Sequence, residues 1–187
     1  APDTFFEGVS KLEAGTYLTC DGQGRMQQQR YWNPASFQPG SSVTSEQDYI
    51  DELRRLLRQS VRRRMVSDVP FGVFLSGGVD SSLNVALMAE LLDRPVETFS
   101  IGIKDDPSNE FVYARQVADH FHTNHHEAVI SDEDFINFLP EMAYLQDEPV
   151  ADPVCVPIYY ISKLARESGT PVIQVGAGCD EIFAGYQ

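Results

Sequence analysis

Cysteine, positive charge and long apolar runs are all scarce in this chain. Its 187 residues hold three cysteines, Cys20, Cys155 and Cys179, far apart and odd in number. No C-x-x-C pair occurs, so neither a disulfide framework nor a zinc knuckle is expected, and the thiols read as reduced. Lysine and arginine together number 14 against 28 aspartates and glutamates, a formal charge of −14. That balance argues against nucleic acid as a partner. It also requires any polyphosphate ligand to be neutralised locally, by backbone amides and a cation. No apolar run reaches the roughly 18 residues of a membrane helix, and no charged-then-apolar leader opens the chain. These absences set the expectation of a cytoplasmic protein with no membrane partner. What remains, 42% hydrophobic and 11% aromatic, suffices for one domain with a core, or for one domain and a fragment of another.

The informative stretch is Phe74-Leu75-Ser76-Gly77-Gly78-Val79-Asp80-Ser81-Ser82. A compact apolar strand signal, Phe71–Leu75, precedes it. A helical pattern follows, with Leu83, Leu87 and Leu91 on one stripe and Val85, Met88 and Leu92 on the next. The polar run therefore sits on a strand-to-helix turn, where α/β folds place ligands. Gly77 and Gly78 let the backbone turn sharply and approach a bulky oxyanion. The following amides open a helix and point outward, with the positive end of its dipole behind them. Ser76, Ser81 and Ser82 add hydroxyl donors. Asp80 would repel phosphate unless a cation lies between them, so it reads as a Mg²⁺ anchor. There is no G-x-x-x-x-G-K-[ST] spacing, so this is not a Walker A loop. The alternative is a Ser/Gly turn with Asp80 as helix N-cap.

A second turn of the same kind lies at Gly176-Ala177-Gly178-Cys179-Asp180-Glu181, after the strand signal Val172–Val175. Two such turns at the carboxyl edge of a parallel sheet would face one ligand, and Asp80 and Asp180 could grip one Mg²⁺ from two sides. Between them, Val96–Ile103 reads as a strand on which Ile101 either presents to an adenine ring or is ordinary core. Helices are expected at 44–66, capped by Thr44 or Ser45; at Asn109–Phe121; at about Asp132–Gln146, capped by Ser131; and at Val154–Ser168, capped by Asp152. The arginines of the first helix, among them Arg54, Arg55 and Arg58, read as a solvated face pairing with the acidic remainder. Adjacent His125 and His126 on a strand would face opposite sides, which disfavours a metal site there. Residues 1–44 differ, with short strands, a hairpin turn at Asp21-Gly22 and a linker from Asn33 to Ser42. So small a β piece must pack on something else.

Ser-Gly-Gly-Val-Asp-Ser-Ser resembles the pyrophosphate loop of N-type ATP pyrophosphatases. The ordered set V-P-F-G-V-F-L-S-G-G-V-D-S-S, F-S-I-G, H-H-E, D-E-P and G-x-G-x-D-E-I-F-A-G-Y resembles the synthetase half of glutamine-hydrolysing (class II) asparagine synthetases. The front pattern F-x-G-V-x-K-L-x-x-G…R-Y-W resembles the end of that family's glutaminase domain. The resemblance implies residues 1–44 as glutaminase tail and linker and 45–187 as the N-terminal part of an ATP-binding synthetase domain. The fold it implies is α/β, a doubly wound parallel sheet with flanking helices like the adenine nucleotide alpha hydrolases. It implies that Leu75, Ile101, Val175 and Gly176 hold adenosine. Ser76, Gly77, Gly78, Asp80, Ser81 and Ser82 would hold pyrophosphate, and Asp80 and Asp180 would bind Mg²⁺. The Asp147-Glu148-Pro149 loop would line the acyl-acceptor pocket.

The implied reaction converts ATP and a carboxylate, aspartate first, into an acyl-adenylate and pyrophosphate. Ammonia from a glutaminase domain then displaces AMP. Relatives with another acceptor, such as β-lactam synthetase-like enzymes, and a nucleotide-binding module without catalysis stay open. Ala177 stands where the family pattern G-E-G-x-D-E has Glu. The family's N-terminal cysteine and a later catalytic lysine have no counterpart in these 187 residues. The chain is therefore expected to be part of a longer enzyme, to bind ATP or AMP, and to lack turnover by itself.

Overall fold

A computed structural model of the chain describes residues 2–36, 45–146, 149–150, 152–183 and 185. The chain divides into two units, Ala1–Tyr49 and Ile50–Gln187. The first holds an antiparallel hairpin, β1 (Thr16–Cys20) and β2 (Met26–Arg30). Its turn is set by Asp21, whose carboxylate accepts from the amides of Gln23 and Arg25 at 2.9 and 3.0 Å. Asp21-Gly22 does begin the turn, but the left-handed residue is Gly24, at φ +78°. Every residue of β2 is exposed, as are Tyr31 and Trp32. This hairpin has no core of its own, which is the expected limit of two strands.

Helix α1 (Glu46–Arg64) begins behind Ser45. The Ser45 hydroxyl accepts from Asp48 N at 3.2 Å, and the Asp48 carboxylate accepts from Ser45 N at 3.0 Å, a reciprocal cap. Thr44 lies outside the described residues. Along α1, Arg55 pairs with Glu52 at 2.6 Å and Arg58 pairs with Glu90, so these arginines meet acidic side chains at an exposed face.

After α1 the second unit alternates strand and helix except for one consecutive helix pair: β3 (Phe71–Phe74), α2 (Val79–Leu91), β4 (Glu97–Ile103), α3 (Phe111–Phe121), β5 (Asn124–Ile130), α4 (Asp132–Leu145), α5 (Cys155–Glu167), β6 (Val172–Gln174) and α6 (Cys179–Phe183). The four strands form one sheet in the order β5-β4-β3-β6, with all three pairings parallel. The chain reverses its direction of travel across the sheet between β3 and β6, the switch point of a doubly wound fold. Covered on both faces, β3 reads as a continuous apolar run rather than an alternating one. Phe71, Val73 and Leu75 pack with Val85 and Met88 of α2 and Ala114 and Ala118 of α3. On the other face Phe99 packs with Ile161 and Ala165 of α5. No helix among the described residues is long and apolar enough to cross a membrane.

Three helix starts differ from expectation or refine it. The α4 cap is as read, with Ser131 and Asp134 forming a capping box. α3 starts at Phe111 rather than Asn109, because the Asn109 side chain is bonded to β4 instead. α5 has Val154, not Asp152, as its N-cap; Asp152 accepts from Val154 N at 3.0 Å and so serves two residues earlier.

On β5, His125 and His126 do take opposite faces, registered against Thr98 and Phe99. His125 Nδ1 lies 2.8 Å from the Thr98 hydroxyl, and burial pushes its pKa down. His126 stacks on the Phe99 ring at 4.9 Å and reaches Glu97 at 3.0 Å. Glu127 accepts two bonds from Arg115 of α3, at 2.8 and 2.6 Å, which hold its carboxyl below the ordinary glutamate value.

Both depressed groups bind fewer protons folded than unfolded, so both add stability that fades as pH falls. The His125 contribution is complete above its unfolded value of about 6.5, and the Glu127 contribution above about 4.3. Urea midpoints should therefore decline in two steps on acidification. Arg115→Met should shrink the lower step, to which the similarly depressed Asp21, Glu52, Asp106 and Asp134 also contribute, and leave most of the upper one.

Candidate functional site

The turn after β3 is fixed by sterics at Gly77. Its φ is +86°, and a Cβ there would lie 2.5 Å from Tyr113 Cβ and 2.6 Å from Ala114 N. The loop backbone thus rests directly on the first turn of α3, and only glycine fits. Gly78, extended at φ −67° and ψ 163°, is the N-cap residue of α2 and, having no side chain, caps none of the amides that follow it. This overturns Asp80 as N-cap: Asp80 lies inside the first helical turn.

The serines knit the turn together. Gly78 N donates to Ser76 Oγ at 3.2 Å, and Ser76 N donates to Ser81 Oγ at 3.3 Å. The two hydroxyl oxygens are 3.0 Å apart, and Ser81 Oγ donates to Gly78 O at 3.2 Å. Ser100 of β4 donates to Leu75 O, which pins the end of the central strand. Ser82 Oγ is buried and has no hydrogen-bond partner among the described residues.

The second turn abuts the first. A Cβ on Gly176 would stand 3.2 Å from Asp80 Cβ and 3.7 Å from Ser81 N, so the two backbones meet with little room between them. Gly178, at φ +93°, brings the chain into α6, whose first turn carries Asp180 and Glu181. The Cys179 thiol is pushed up by burial and then by the charges of Asp80, Asp180 and Glu181.

Both turns open on one cleft of about 800 Å³. Asp80 and Asp180 line it, as do Ser76 and Ser81. Leu75, Ile101, Val175 and Gly176 form another part of its lining. The side chain of Leu75 packs in the core, so its share of the wall is chiefly backbone. Gly77, Gly78 and Ser82 are not among the lining residues; Gly77 shapes the turn, Gly78 starts the helix and half-buried Ser82 keeps its hydroxyl out of solvent. Asp147, Glu148 and Tyr186 lie outside the described residues.

Sequence reading missed several wall residues, including Ser100, Asn109, Phe111 and Ile161. Asn109 left one signal, a polar residue just ahead of a helix, and it was read as part of that helix. Ala177 also lines the cleft.

Among the described residues no group of three or more His, Cys, Asp or Glu side chains is placed to hold a metal unaided. Magnesium does not need one. It is commonly held by one or two carboxylates together with water and substrate phosphates. Asp80 and Asp180, hard oxygen donors on one cleft, fit that donor set.

The Asparagine synthase family model matches residues 52–187. A Bacillus subtilis protein named asparagine synthetase [glutamine-hydrolyzing] 1 is 35% identical over 185 residues, covering 99% of this chain and 28% of its own. A relative from Methanocaldococcus jannaschii, named for the same activity, is 36% identical over 188 residues, covering all of this chain and 36% of its own. The chain thus spans about a third of the length of these relatives. In fold it is similar to the U34-tRNA thiolase NcsA from Methanococcus maripaludis, with a TM-score of 0.52 at 15% identity over 73% of this chain and 48% of that one.

The contrast between the two glycines of the first loop gives a direct check on this geometry. Gly77→Ala should cost about 2–4 kcal/mol, from left-handed strain and overpacking against α3. Gly78→Ala, at negative φ with only the Ser76 hydroxyl at 3.3 Å, should cost about 1 kcal/mol or less. Chemical denaturation of the two variants measures both.

Proposed function

The chain belongs to the asparagine synthase family, and from that premise we propose that it carries the ATP-activating site of an amide-forming enzyme. The observation that carries this reading is the meeting of two glycine-and-acid turns on one cleft at the switch point of the sheet. Leu75, Ile101, Val175 and Gly176 take the adenosine part. Ser76, Asp80 and Ser81 take the pyrophosphate from the cleft wall, on a loop whose path Gly77 and Gly78 set; Ser82, which the family pattern also assigns to pyrophosphate, keeps its hydroxyl buried behind them. The unbonded first amides of α2 supply the partial positive charge that an anion there requires. Asp80 and Asp180 hold Mg²⁺, which supplies neutralisation of the polyphosphate in a chain of formal charge −14.

In the reaction we assign, an oxygen of a substrate carboxylate, aspartate by family, attacks the α-phosphorus of ATP. The bond from that phosphorus to the pyrophosphate oxygen breaks, leaving an acyl-adenylate and pyrophosphate. The nitrogen of ammonia, released from glutamine elsewhere in the full-length protein, then attacks the acyl carbon. The carbon–oxygen bond to AMP breaks and an amide forms. Nucleophile and leaving group are both anionic, so the work of the site is positioning and charge stabilisation. The expected setting is cytoplasmic.

Ala177 supports a second reading. It lines the cleft at the position where the family pattern carries Glu, so the reacting phosphates lose one polar neighbour. A site altered this way suits a different carboxylate acceptor, or nucleotide binding without turnover.

Calorimetric titration of the chain with Mg·ATP should show binding, and Asp80→Asn or Asp180→Asn should each weaken it at least tenfold while leaving the circular dichroism spectrum unchanged. Titration with no heat of binding would sink the nucleotide reading. Pyrophosphate release is expected to be absent from the chain and to appear in a protein spanning the relatives' full length. There, a panel of carboxylic acids separates aspartate from other acceptors. Release that no acid stimulates would select the non-catalytic reading.

A further inference from the structure

Strand β4 outruns its neighbour β3. The ladder between them closes where Leu75 N donates to Phe99 O at 2.8 Å, yet β4 continues to Ile103. Backbone groups of alternate residues face the same edge of a strand, and β5 bonds β4 through Val96 O and through Lys104 N. Phe99, Ile101 and Ile103 therefore face the side on which β3 has already ended.

There, Asn109 supplies what β3 does not. Its Oδ1 accepts from Ile103 N at 2.8 Å, and its Nδ2 donates to Ile103 O at 2.6 Å. One primary amide pairs both backbone groups of one residue, as an antiparallel strand residue does. The connection from β4 to α3 is thereby closed on itself. Asp106 N also donates to Ile103 O, and Asn109 N to Asp106 O, each at 3.3 Å. Asp105 adopts φ +61° to complete the turn. The wall so formed is tight: a Cβ on Gly102 would lie 2.5 Å from the Phe111 ring and 2.7 Å from Asn109 Oδ1. Ile101, Gly102, Asn109 and Phe111 all line the cleft that holds the two acid turns.

We propose that Asn109 is a positioning residue for the adenosine part of the nucleotide, acting by holding the free edge of β4 beyond Leu75 as a rigid wall. The inference rests on the nucleotide reading of the cleft. It predicts that adenosine recognition depends on Asn109, whereas pyrophosphate recognition, on the far side at Ser76–Ser82, does not.

AMP and inorganic pyrophosphate with Mg²⁺ would be titrated separately into the chain and its Asn109→Ala and Asn109→Asp variants. Asn109→Ala should weaken AMP about tenfold and leave pyrophosphate affinity unchanged. Asn109→Asp keeps the acceptor for Ile103 N but sets a carboxylate oxygen against Ile103 O, so it too should weaken AMP, at least as much as Asn109→Ala. If Asn109→Ala fails to fold, Asn109→Asp decides the matter. AMP binding that the variants leave intact would overturn this inference alone. Equal weakening of AMP and pyrophosphate would also overturn it, by showing a merely structural role. If the unaltered chain binds no AMP, the nucleotide reading fails and this inference falls with it.

Discussion

Unequal strand lengths at the carboxyl edge of the sheet are the constraint from which the site follows. β3 and β6 stop at Phe74 and Gln174, while β4 and β5 run on to Ile103 and Ile130. The step so created is the floor of the cleft. Its low side is where the two short central strands discharge their turns, and its high side is the free edge of β4. Burial sets the step in place. Phe71, Val73 and Leu75 lie against α2 and α3, and Phe99 lies against α5, so no strand can slide without exposing a row of apolar side chains.

The chemistry of the site is then a matter of what lies at the foot of that step. The chain is strongly acidic overall, and four acidic residues, Asp80, Asp106, Glu110 and Asp180, line the same cleft. Opposing them are helix-opening amides without a side-chain cap and a set of serine hydroxyls already bonded to one another. An anionic ligand with a divalent cation reconciles these features, since Asp80 and Asp180 would then face a positive charge. The raised Cys179 thiol reports the same crowding of negative charge, because burial and three neighbouring acids all disfavour its thiolate.

Much of this was legible in the sequence. The strand-to-helix order and both glycine turns followed from short apolar runs bounded by glycine, a pattern that two-sided burial imposes, while the doubly wound parallel sheet came with the family resemblance. Capping at Ser131 was legible because it is local: Ser131 and Asp134 lie three residues apart. Where long-range contacts decide, the sequence was silent. Asn109 was absorbed into a helix because nothing in its neighbourhood announces a bond to Ile103. Asp80 was an equally good N-cap by local rules, and only the backbone at Gly78 excludes that. The strong glycine at Gly77 was read as permission for a sharp turn. Its tighter reason, the approach of α3, lies 36 residues away at Tyr113.

That contact has a mechanical consequence. The loop backbone at Gly77 bears on the backbone of Ala114, and the next residue, Arg115, is clamped to Glu127 on β5. Loop, helix and outer strand are therefore linked in series with no soft side chain at the first joint. A displacement of the loop of a few tenths of an ångström cannot be absorbed where it arises. It would pass to α3, whose Arg115 ties that helix to Glu127 of β5.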